Sequence, residues 1–451
     1  MASTQVSWTP SVSGNRVKWT WSGWVKRSSL GEQVLFGSYQ SGAYNTELKF
    51  TTSDELHFAD TYNSNTNGRI ITTAKFKDIN AWYHIVAIFD NAAGSGASDK
   101  IKIYVNGQNQ AGAYGNAPSN ATTLNADGTK IQIGQLGAGS NFNGLMSHVH
   151  FCDGYAYDAS YFGETDSTTG EWKIKTSPSV SYGTNGFWIL KDGNSVTNQA
   201  GNSNPNFTVE NGTLTKTLDN PSNVFATLNT LLKTPSGLSY SNGNTTLTTT
   251  NTQWEGSATT MGVSSGKWYW EAKYNTGSGI KLDIARLPSD MRFLDNSNNS
   301  YLGHDTNGYG YQLNNSGTDY STTAGTTTTW NSSINGNSTK IYMVAVDLDN
   351  GKMWFGANGT WANTSGTANP ATGTDPRLSF SAKLNGEHWL FGLSVEGSGG
   401  SHNANFGNGY YGTTAVTTNS GNGYSDSNSQ GKFSYQPPTN FLALCTKNLN
   451  E

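Results

Sequence analysis

The chain has 451 residues and a formal net charge of −4, and only 13% of its residues are charged. A chain of this length is too long to fold around a single hydrophobic core, so we predict two domains of roughly 200 residues each. The balanced charge, without any run of one sign, excludes the electrostatic footprint expected for nucleic acid or an anionic bilayer. No apolar run approaches the ~20 residues of a membrane span, so we expect no nucleic-acid partner and no membrane insertion.

The first half of the chain contains short segments typical of β-strands. Gly, Asn, Ser and Thr dominate the composition, which favours short strands and polar turns over helices. Strands are predicted at 19–26, 34–37, 46–50, 55–58, 82–90, 99–105, 130–134 and 144–152. Residues 39–45 and 59–68 are predicted to be exposed loops. Residues 153–171 are predicted to pack back on the sheet, because their aromatic residues have apolar surface to bury.

The second half repeats this pattern in residues 341–361, IYMVAVDLDNGKMWFGANGTW. A strand leads to Asp349-Asn350-Gly351, predicted to reverse the chain in a two-residue loop, and Asn358-Gly359 turns it again. Further strands are predicted at 266–274, 280–285, 308–313, 388–395 and 403–406. We therefore predict an all-β protein of two tandem β-sandwiches, 1–214 and 215–451, with a hinge at about 215–232.

Several motifs resemble those of bacteriophage virion proteins. Residues 1 to about 215 resemble a concanavalin A-like, laminin-G-type jelly roll, in WTWSGWVKRS, AWYHIVAIFD, KIKIYVNGQ, HVHFCDG and FGETDSTTGEW. The remainder resembles a SPRY-type sandwich, in GKWYWE, VDLDNGKMWFGANGTW, NANFG and PPTNFLALCTKNL. The resemblance implies a protein of the virion surface, made and folded in the cytoplasm of the bacterial host.

The resemblance also implies partners. These are other virion proteins of the capsid, portal or tail, a host-surface polysaccharide, and further copies of the chain, for which a trimer is one arrangement. Because the first sandwich begins almost at Met1 and no fibre shaft precedes it, we expect a compact appendage. A tail fibre tip and a head fibre both remain open, as does the question of which domain anchors and which recognises.

We expect a non-enzymatic adhesin, with two alternatives: a capsid decoration protein that binds no receptor, and a glycan-degrading depolymerase. Laminarinase-like glycosidases on this fold carry a Glu-x-Asp-x-x-Glu strand. The nearest match begins at Glu164-Thr165-Asp166 and ends at Thr169, so it lacks the final carboxylate. The sequence therefore predicts no enzymatic activity.

Metal sites are weakly indicated. His148, His150 and Cys152 have a spacing that could hold zinc, but no fourth ligand is near them in sequence, and imidazoles on a sheet face are the favoured interpretation. Calcium is the one cofactor considered, by likeness to jelly-roll lectins, with Asp60 and Asp90 as its candidate ligands.

Aromatic side chains are the candidate sugar-binding residues. Rings stack on the apolar faces of sugars, while Asn, Asp and Gly groups in loops bond the hydroxyls. The candidate loop aromatics are Tyr39, Tyr44 and Tyr62 in the first domain and Tyr309, Tyr311, Trp361, Tyr410 and Tyr411 in the second. The SPRY resemblance also allows the second domain to bind protein.

Overall fold

The computed structural model describes residues 4–449 apart from 138, 192–194, 205, 236, 288–300, 305–307, 315–317, 331–333, 335–338, 363–365, 382–387 and 418–422. The chain divides into two compact units, Met1–Lys216 and Thr217–Glu451. About half of the residues are in strands and 4% in helices, which confirms the all-β fold. The α-helices Ala97–Lys100 and Thr446–Leu449 have four residues each, and no helix in the described part of the chain could cross a membrane.

The first unit is a sandwich of two antiparallel sheets. Its strands are β1 Gln5–Trp8, β2 Lys18–Arg27, β3 Gln33–Ser41, β4 Tyr44–Phe50, β5 Glu55–Tyr62, β6 Asn65–Lys75, β7 Trp82–Asp90, β8 Ile101–Val105, β9 Gln108–Asn109, β10 Gly112–Tyr114, β11 Ile131–Ile133, β12 Gly144–Asp153, β13 Gly163–Thr165, β14 Trp172–Ile174, β15 Phe187–Ile189 and β16 Thr208–Asn211. The described strands order as β10-β6-β5-β4-β3-β11-β1-β16 in one sheet and β15-β12-β2-β7-β8-β9 in the other. Alternation along β2 directs Trp19, Trp21 and Val25 into the core between them.

A third layer covers the outer face of the β15-β12-β2-β7-β8-β9 sheet. Val86 and Ile88 of β7 point away from the main core and pack with Cys152, Ala159 and Phe162. The last two residues belong to the segment after β12, which includes the short 3₁₀ helix Ala159–Tyr161 and the β13–β14 hairpin. The prediction that this segment packs back on the sandwich is confirmed.

The second unit is also a sandwich with a covered outer face. Its strands are β17 Leu228–Lys233, β18 Leu238–Ser241, β19 Thr246–Thr249, β20 Glu255–Val263, β21 Lys267–Thr276, β22 Gly279–Leu287, β23 Gly308–Asn314, β24 Asp319–Thr323, β25 Thr326–Trp330, β26 Ile341–Asp347, β27 Lys352–Ala357, β28 Thr360–Ala362, β29 Leu378–Ser379, β30 His388–Glu396, β31 Ser401–Asn405, β32 Tyr410–Tyr411 and β33 Thr414–Ala415. The described strands order as β17-β20-β30-β22-β23-β24-β25 and β18-β19-β31-β21-β26-β27-β28. Tyr269, Met343 and Trp354 point outward from the second of these sheets and pack against Phe433 and Phe441 of the C-terminal segment.

Three predicted loops differ from the structure. Strands β3 to β6 run through most of residues 39–45 and 59–68, and the chain reverses at 42–43 and at 63–64. The second reversal is tight because Asn63 and Ser64 both adopt positive φ, of 49° and 62°. Conversely, the loop between β26 and β27 has four residues, because Asp347 pairs with Lys352, and the Asp347 carboxylate accepts from the backbone N–H of Asn350 at 3.0 Å.

Candidate functional site

Two tyrosines meet at one end of the first unit. Tyr44, at the start of β4, pairs with Tyr62, at the end of β5, so both side chains lie on the same face of the sheet. Their ring centroids are 5.5 Å apart and the rings are nearly perpendicular. Tyr62 is 39% exposed and Tyr44 is partly buried. We call Tyr44 and Tyr62 the tip pair.

The hairpins that carry the tip pair are held by hydrogen bonds. The backbone N–H of Ser64 donates to the carbonyl of Ala43 at 3.0 Å, which ties one hairpin turn to the other. The amide of Asn65 donates to the carbonyl of Asn63 at 2.8 Å. Both asparagines are exposed beside the tip pair, so the rings are flanked by amide groups on a rigid support.

Asp60 lies two residues before Tyr62 on the same face of β5, and it is buried. Its carboxylate accepts from the hydroxyl of Thr46 at 2.5 Å, from the amide of Asn67 at 2.7 Å and from the backbone N–H of Thr123 at 3.4 Å. Burial raises the pKa of Asp60 to about 6, against the opposing effect of these hydrogen bonds. The carboxylate therefore joins the sheet to the 119–124 segment and is not exposed to solvent.

Asp90, the other candidate calcium ligand, lies in the opposite sheet. It pairs with Lys18 at 2.9 Å and accepts from the backbone N–H of Ala92 at 3.1 Å. Within the described ranges, no group of three or more His, Cys, Asp or Glu side chains is placed to hold a metal ion. Both aspartates thus have protein partners, and calcium binding stays a prediction.

Tyr39 stands apart from the tip pair. It is 45% exposed and pairs with Asn45, whereas its neighbour Ser38 pairs with the buried Thr46. Because successive residues of a strand point to opposite faces, Tyr39 lies on the outer face of the sheet while the tip pair lies on the inner face.

Two predicted loop aromatics of the second unit are core residues, which corrects the prediction for them. Tyr309 and Tyr311 lie in β23 and point into the sandwich. Tyr311 is fully buried and donates to the carboxylate of Asp319 at 3.0 Å. Tyr309 packs on Phe380 with 5.0 Å between ring centroids.

The other three belong to the outer layer of the second unit. Tyr411 is only 5% exposed and its hydroxyl donates to the buried carboxylate of Glu271, so its prediction as an exposed loop residue is wrong. Trp361 lies in β28 and packs edge-on against Tyr269 at 6.3 Å. Tyr410 is partly buried in β32.

Glu271 is the centre of this outer layer. Its carboxylate also accepts from the hydroxyl of Tyr269 at 2.9 Å and from the backbone N–H groups of Ser434 at 2.9 Å and Tyr435 at 2.8 Å. Burial raises the pKa of Glu271 above its ordinary value. The network fixes the C-terminal segment to β21 and exposes none of its polar groups as a binding surface.

A serine and a histidine in the first unit have the distance of a catalytic dyad. The hydroxyl oxygen of Ser22 lies 2.9 Å from Nε2 of His84. The indole N–H of Trp172 donates to Nδ1 of His84 at 3.0 Å, so neutral His84 carries its proton on Nε2 and donates it to Ser22. In this tautomer His84 cannot remove the proton of Ser22, and both side chains are buried.

The residues of the incomplete glycosidase motif stabilise a hairpin. Asp166 accepts from the backbone N–H of Thr168 and Thr169, and it pairs with Lys173 at 2.6 Å, which lowers the pKa of its carboxyl. Glu164 is exposed on β13.

The proposed zinc residues have other partners. Nδ1 of His150 is 2.9 Å from the hydroxyl of Tyr182, and Nδ1 of His148 is 2.8 Å from the hydroxyl of Ser147. Cys152 is fully buried. These contacts agree with the interpretation of the imidazoles as hydrogen-bonded groups on a sheet face.

Two exposed tyrosines and one partly buried tyrosine lie in the segment whose aromatic residues were predicted to be buried. The rings of Tyr155 and Tyr157 are parallel within 7°, with centroids 5.5 Å apart, and Tyr161 lies 4.5 Å from Tyr157. Tyr155 and Tyr161 are 40% and 43% exposed. We call Tyr155, Tyr157 and Tyr161 the tyrosine row. Aromatic content predicted burial for this segment, and Phe162 alone of the four rings is buried.

Comparison with known proteins supports the fold. Residues 2–159 match the family model of the concanavalin A-like lectin/glucanases superfamily. No curated protein sequence matches the chain. The first sandwich is therefore concanavalin A-like, and the prediction of two tandem β-sandwiches is confirmed.

Similar solved structures include two SPRY domains and a pentraxin. The TRIM65 PSpry domain is 14% identical, with a TM-score of 0.29, over 40% of this chain and 91% of its own. The human HERC1 SPRY domain is 17% identical, with a TM-score of 0.26, over 37% and 91%. The heptameric SAP-like pentraxin of Limulus polyphemus is 14% identical, with a TM-score of 0.26, over 33% and 70%. At these values the likenesses give no information on function.

Proposed function

We propose that the chain is a non-enzymatic phage virion surface protein whose first unit binds a glycan of the host cell surface. The observation that carries the proposal is the tip pair, Tyr44 and Tyr62, at the end of a sandwich of the lectin/glucanase superfamily. One ring is well exposed, the exposed amides of Asn63 and Asn65 flank it, and the hairpins are rigid. Aromatic faces with nearby amides suit the apolar faces and hydroxyls of sugars.

The proposal of a binding protein, as opposed to a hydrolase, is supported by the arrangement of the polar groups. Ser22 accepts a hydrogen bond from His84 instead of donating one, and the Asp166 carboxylate is bonded to Lys173 and to the backbone of its own turn. The tip pair has one carboxylate behind it, Asp60, and that group is buried with three donors. Retaining and inverting glycosidases both need two carboxyl groups that face the substrate.

The proposed location on a virion is supported by the sequence motifs that resemble those of phage proteins. It includes docking on a capsid, portal or tail protein and assembly with further copies of the chain. A capsid decoration protein without receptor binding differs from it in one respect: such a protein would label virions and would label no cells.

The test is binding of the fluorescently labelled protein to a panel of bacteria that includes the host, before and after periodate oxidation of surface sugars. We expect selective labelling that periodate abolishes. Y44A/Y62A should reduce labelling by roughly tenfold, because it removes both rings. Y39A is the matched control, since Tyr39 is equally exposed on the opposite face of the same sheet. Absence of labelling on the host would contradict the proposed adhesin function and favour the capsid decoration protein.

A further inference from the structure

The tyrosine row presents ring surface to solvent at Tyr155 and Tyr161, while Tyr157 is partly buried against the outer-layer cluster. Tyr155 stacks on one side of Tyr157 with parallel rings, and Tyr161 lies against Tyr157 at 46°. A centroid distance of 5.5 Å between parallel rings means that the rings are offset, so part of each ring face stays uncovered. The outer two members are each at least 40% exposed.

The backbone that carries the row is anchored to the sheet beneath it. The hydroxyl of Thr20, on β2, donates to the carbonyl of Tyr155 at 2.9 Å and accepts from the backbone N–H of Tyr157 at 2.8 Å. Asp158 caps the short helix that contains Tyr161 by accepting from the backbone N–H of Ser160 at 2.9 Å. The rings are thus ordered before any ligand arrives, which lowers the entropic cost of binding.

The chemistry around the row favours a neutral carbohydrate over a protein partner. The exposed large apolar side chains between residues 153 and 183 are both tyrosines, whereas protein interfaces are also enriched in Trp, Phe, Met and Arg. Lys173 pairs with Asp166 at 2.6 Å and Lys175 with Glu164 at 3.9 Å, while the exposed carboxylate of Asp158 accepts from the backbone N–H and the hydroxyl of Ser160. The row therefore offers ring faces and phenol hydroxyls beside the Asp158 carboxylate, whose negative charge disfavours an anionic glycan.

We propose that the tyrosine row is a second carbohydrate-binding surface, distinct from the tip pair, on which consecutive pyranose rings of a neutral oligosaccharide stack. The inference rests on the proposed function in one respect, namely that the first unit binds glycans. It adds a site on the other sheet of the sandwich, so that one chain would hold a glycan at two places and gain effective concentration from the second contact.

The test is saturation-transfer difference NMR on the full chain with three neutral probes, maltohexaose, cellohexaose and chitohexaose, at roughly millimolar concentration. We expect at least one probe to receive saturation at its pyranose protons. Y155A/Y161A should reduce this signal several-fold, while Y39A, which alters an exposed tyrosine outside both proposed surfaces, retains it. If the double variant unfolds, the single variant Y161A, which leaves the Tyr155–Tyr157 stack in place, is used instead.

Two results would overturn the inference. One is no saturation transfer to any of the three probes, and the other is an equal signal from wild type and Y155A/Y161A. Neither result affects the cell-labelling experiment, in which the tip pair is altered and the tyrosine row is intact. Conversely, the protein could fail to label the host while a hexaose still binds at the tyrosine row. That result would support the second surface and contradict the proposed adhesin function.

Discussion

Both sandwiches have an outer layer over one sheet, and the two layers use aromatic residues in opposite ways. In the second unit, the hydroxyls of Tyr269 and Tyr411 are buried within the outer layer and donate to Glu271. In the first unit, Tyr155 and Tyr161 have exposed rings, and burial in the layer falls to Phe162 and its aliphatic neighbours. The orientation of a ring, and not its presence in a loop, separates a structural tyrosine from a candidate binding residue.

The largest effect that follows from this contrast is expected at Glu271. Five donors bond to Glu271, and one of them, the amide of Asn405, has a second acceptor in the carbonyl of Lys432. E271A would leave the other four without this acceptor inside the outer layer of the second unit, each at a cost of about 1–3 kcal/mol. We expect the free energy of unfolding of this unit to fall by more than about 4 kcal/mol, measured by denaturant titration. E164A is the control, because this carboxylate is 64% exposed and should change stability by less than about 0.5 kcal/mol. A loss of similar size in both variants would contradict the role of the network.

Acid should affect the first unit more than the second. Burial lowers the pKa of His84 to about 3 and of His57 to about 4, and lowers that of His150 well below its usual value. In the described part of the second unit, burial lowers the pKa of His402 to about 4. A histidine with a lowered pKa stabilises the fold above its unfolded pKa, near 6.5, and this stability is lost as the pH falls. Between pH 6.5 and 5 the loss is about 2 kcal/mol for each such histidine.

Carboxyl groups with raised pKa values act in the opposite direction. Their contribution is lost as the pH rises through the folded pKa, so acid restores it. Asp60, with a pKa near 6, offsets part of the loss in the first unit, and Glu271 and Glu396, whose pKa values burial raises, offset it in the second. Hydrogen exchange at pH 7 and pH 5, corrected for intrinsic rates, should show protection falling mainly in peptides of residues 4–216. Equal loss in both units would contradict this.

The sequence predicted the strands better than it predicted which aromatic residues are exposed. The dense apolar run 82–90 predicted β7 with its observed bounds, because every residue of that strand is buried. By contrast, Tyr309, Tyr311 and Leu313 alternate with glycine and glutamine, a pattern typical of one buried strand face, and the prediction of the two tyrosines as loop residues is wrong. All three are buried.

The two residues of the tip pair could be predicted as binding candidates from the sequence, but their contact with each other could not. Tyr44 and Tyr62 face each other because β5 continues past the predicted end at Phe58 and turns at Asn63-Ser64. Positive φ at serine is uncommon, so the polar run 59–68 predicted a loop instead of a tight hairpin. For the tyrosine row, the segment has no regular period from which the direction of a side chain could be derived.

Removing a single tyrosine hydroxyl should lower the free energy of unfolding more in the second unit than in the first. Y411F removes the donor to a buried carboxylate while keeping the ring, and we expect a loss of about 2 kcal/mol in the free energy of unfolding. Thermal and denaturant unfolding of Y411F and wild type give the measurement. Retention of full stability would mean that Glu271 is satisfied by its remaining donors alone.

The smallest effect is expected for the same change in the tyrosine row. Y161F and Y155F remove hydroxyls from exposed rings, so the free energy of unfolding should change by less than about 0.5 kcal/mol. If the rings of the row bind sugars by stacking, these variants also keep most of the saturation transfer that Y155A/Y161A loses, because the ring faces remain. Loss of sugar signal in Y161F with unchanged stability would instead assign recognition to the hydroxyl group. A loss of stability comparable to that of Y411F would place the row among the structural tyrosines and remove the contrast between the two layers.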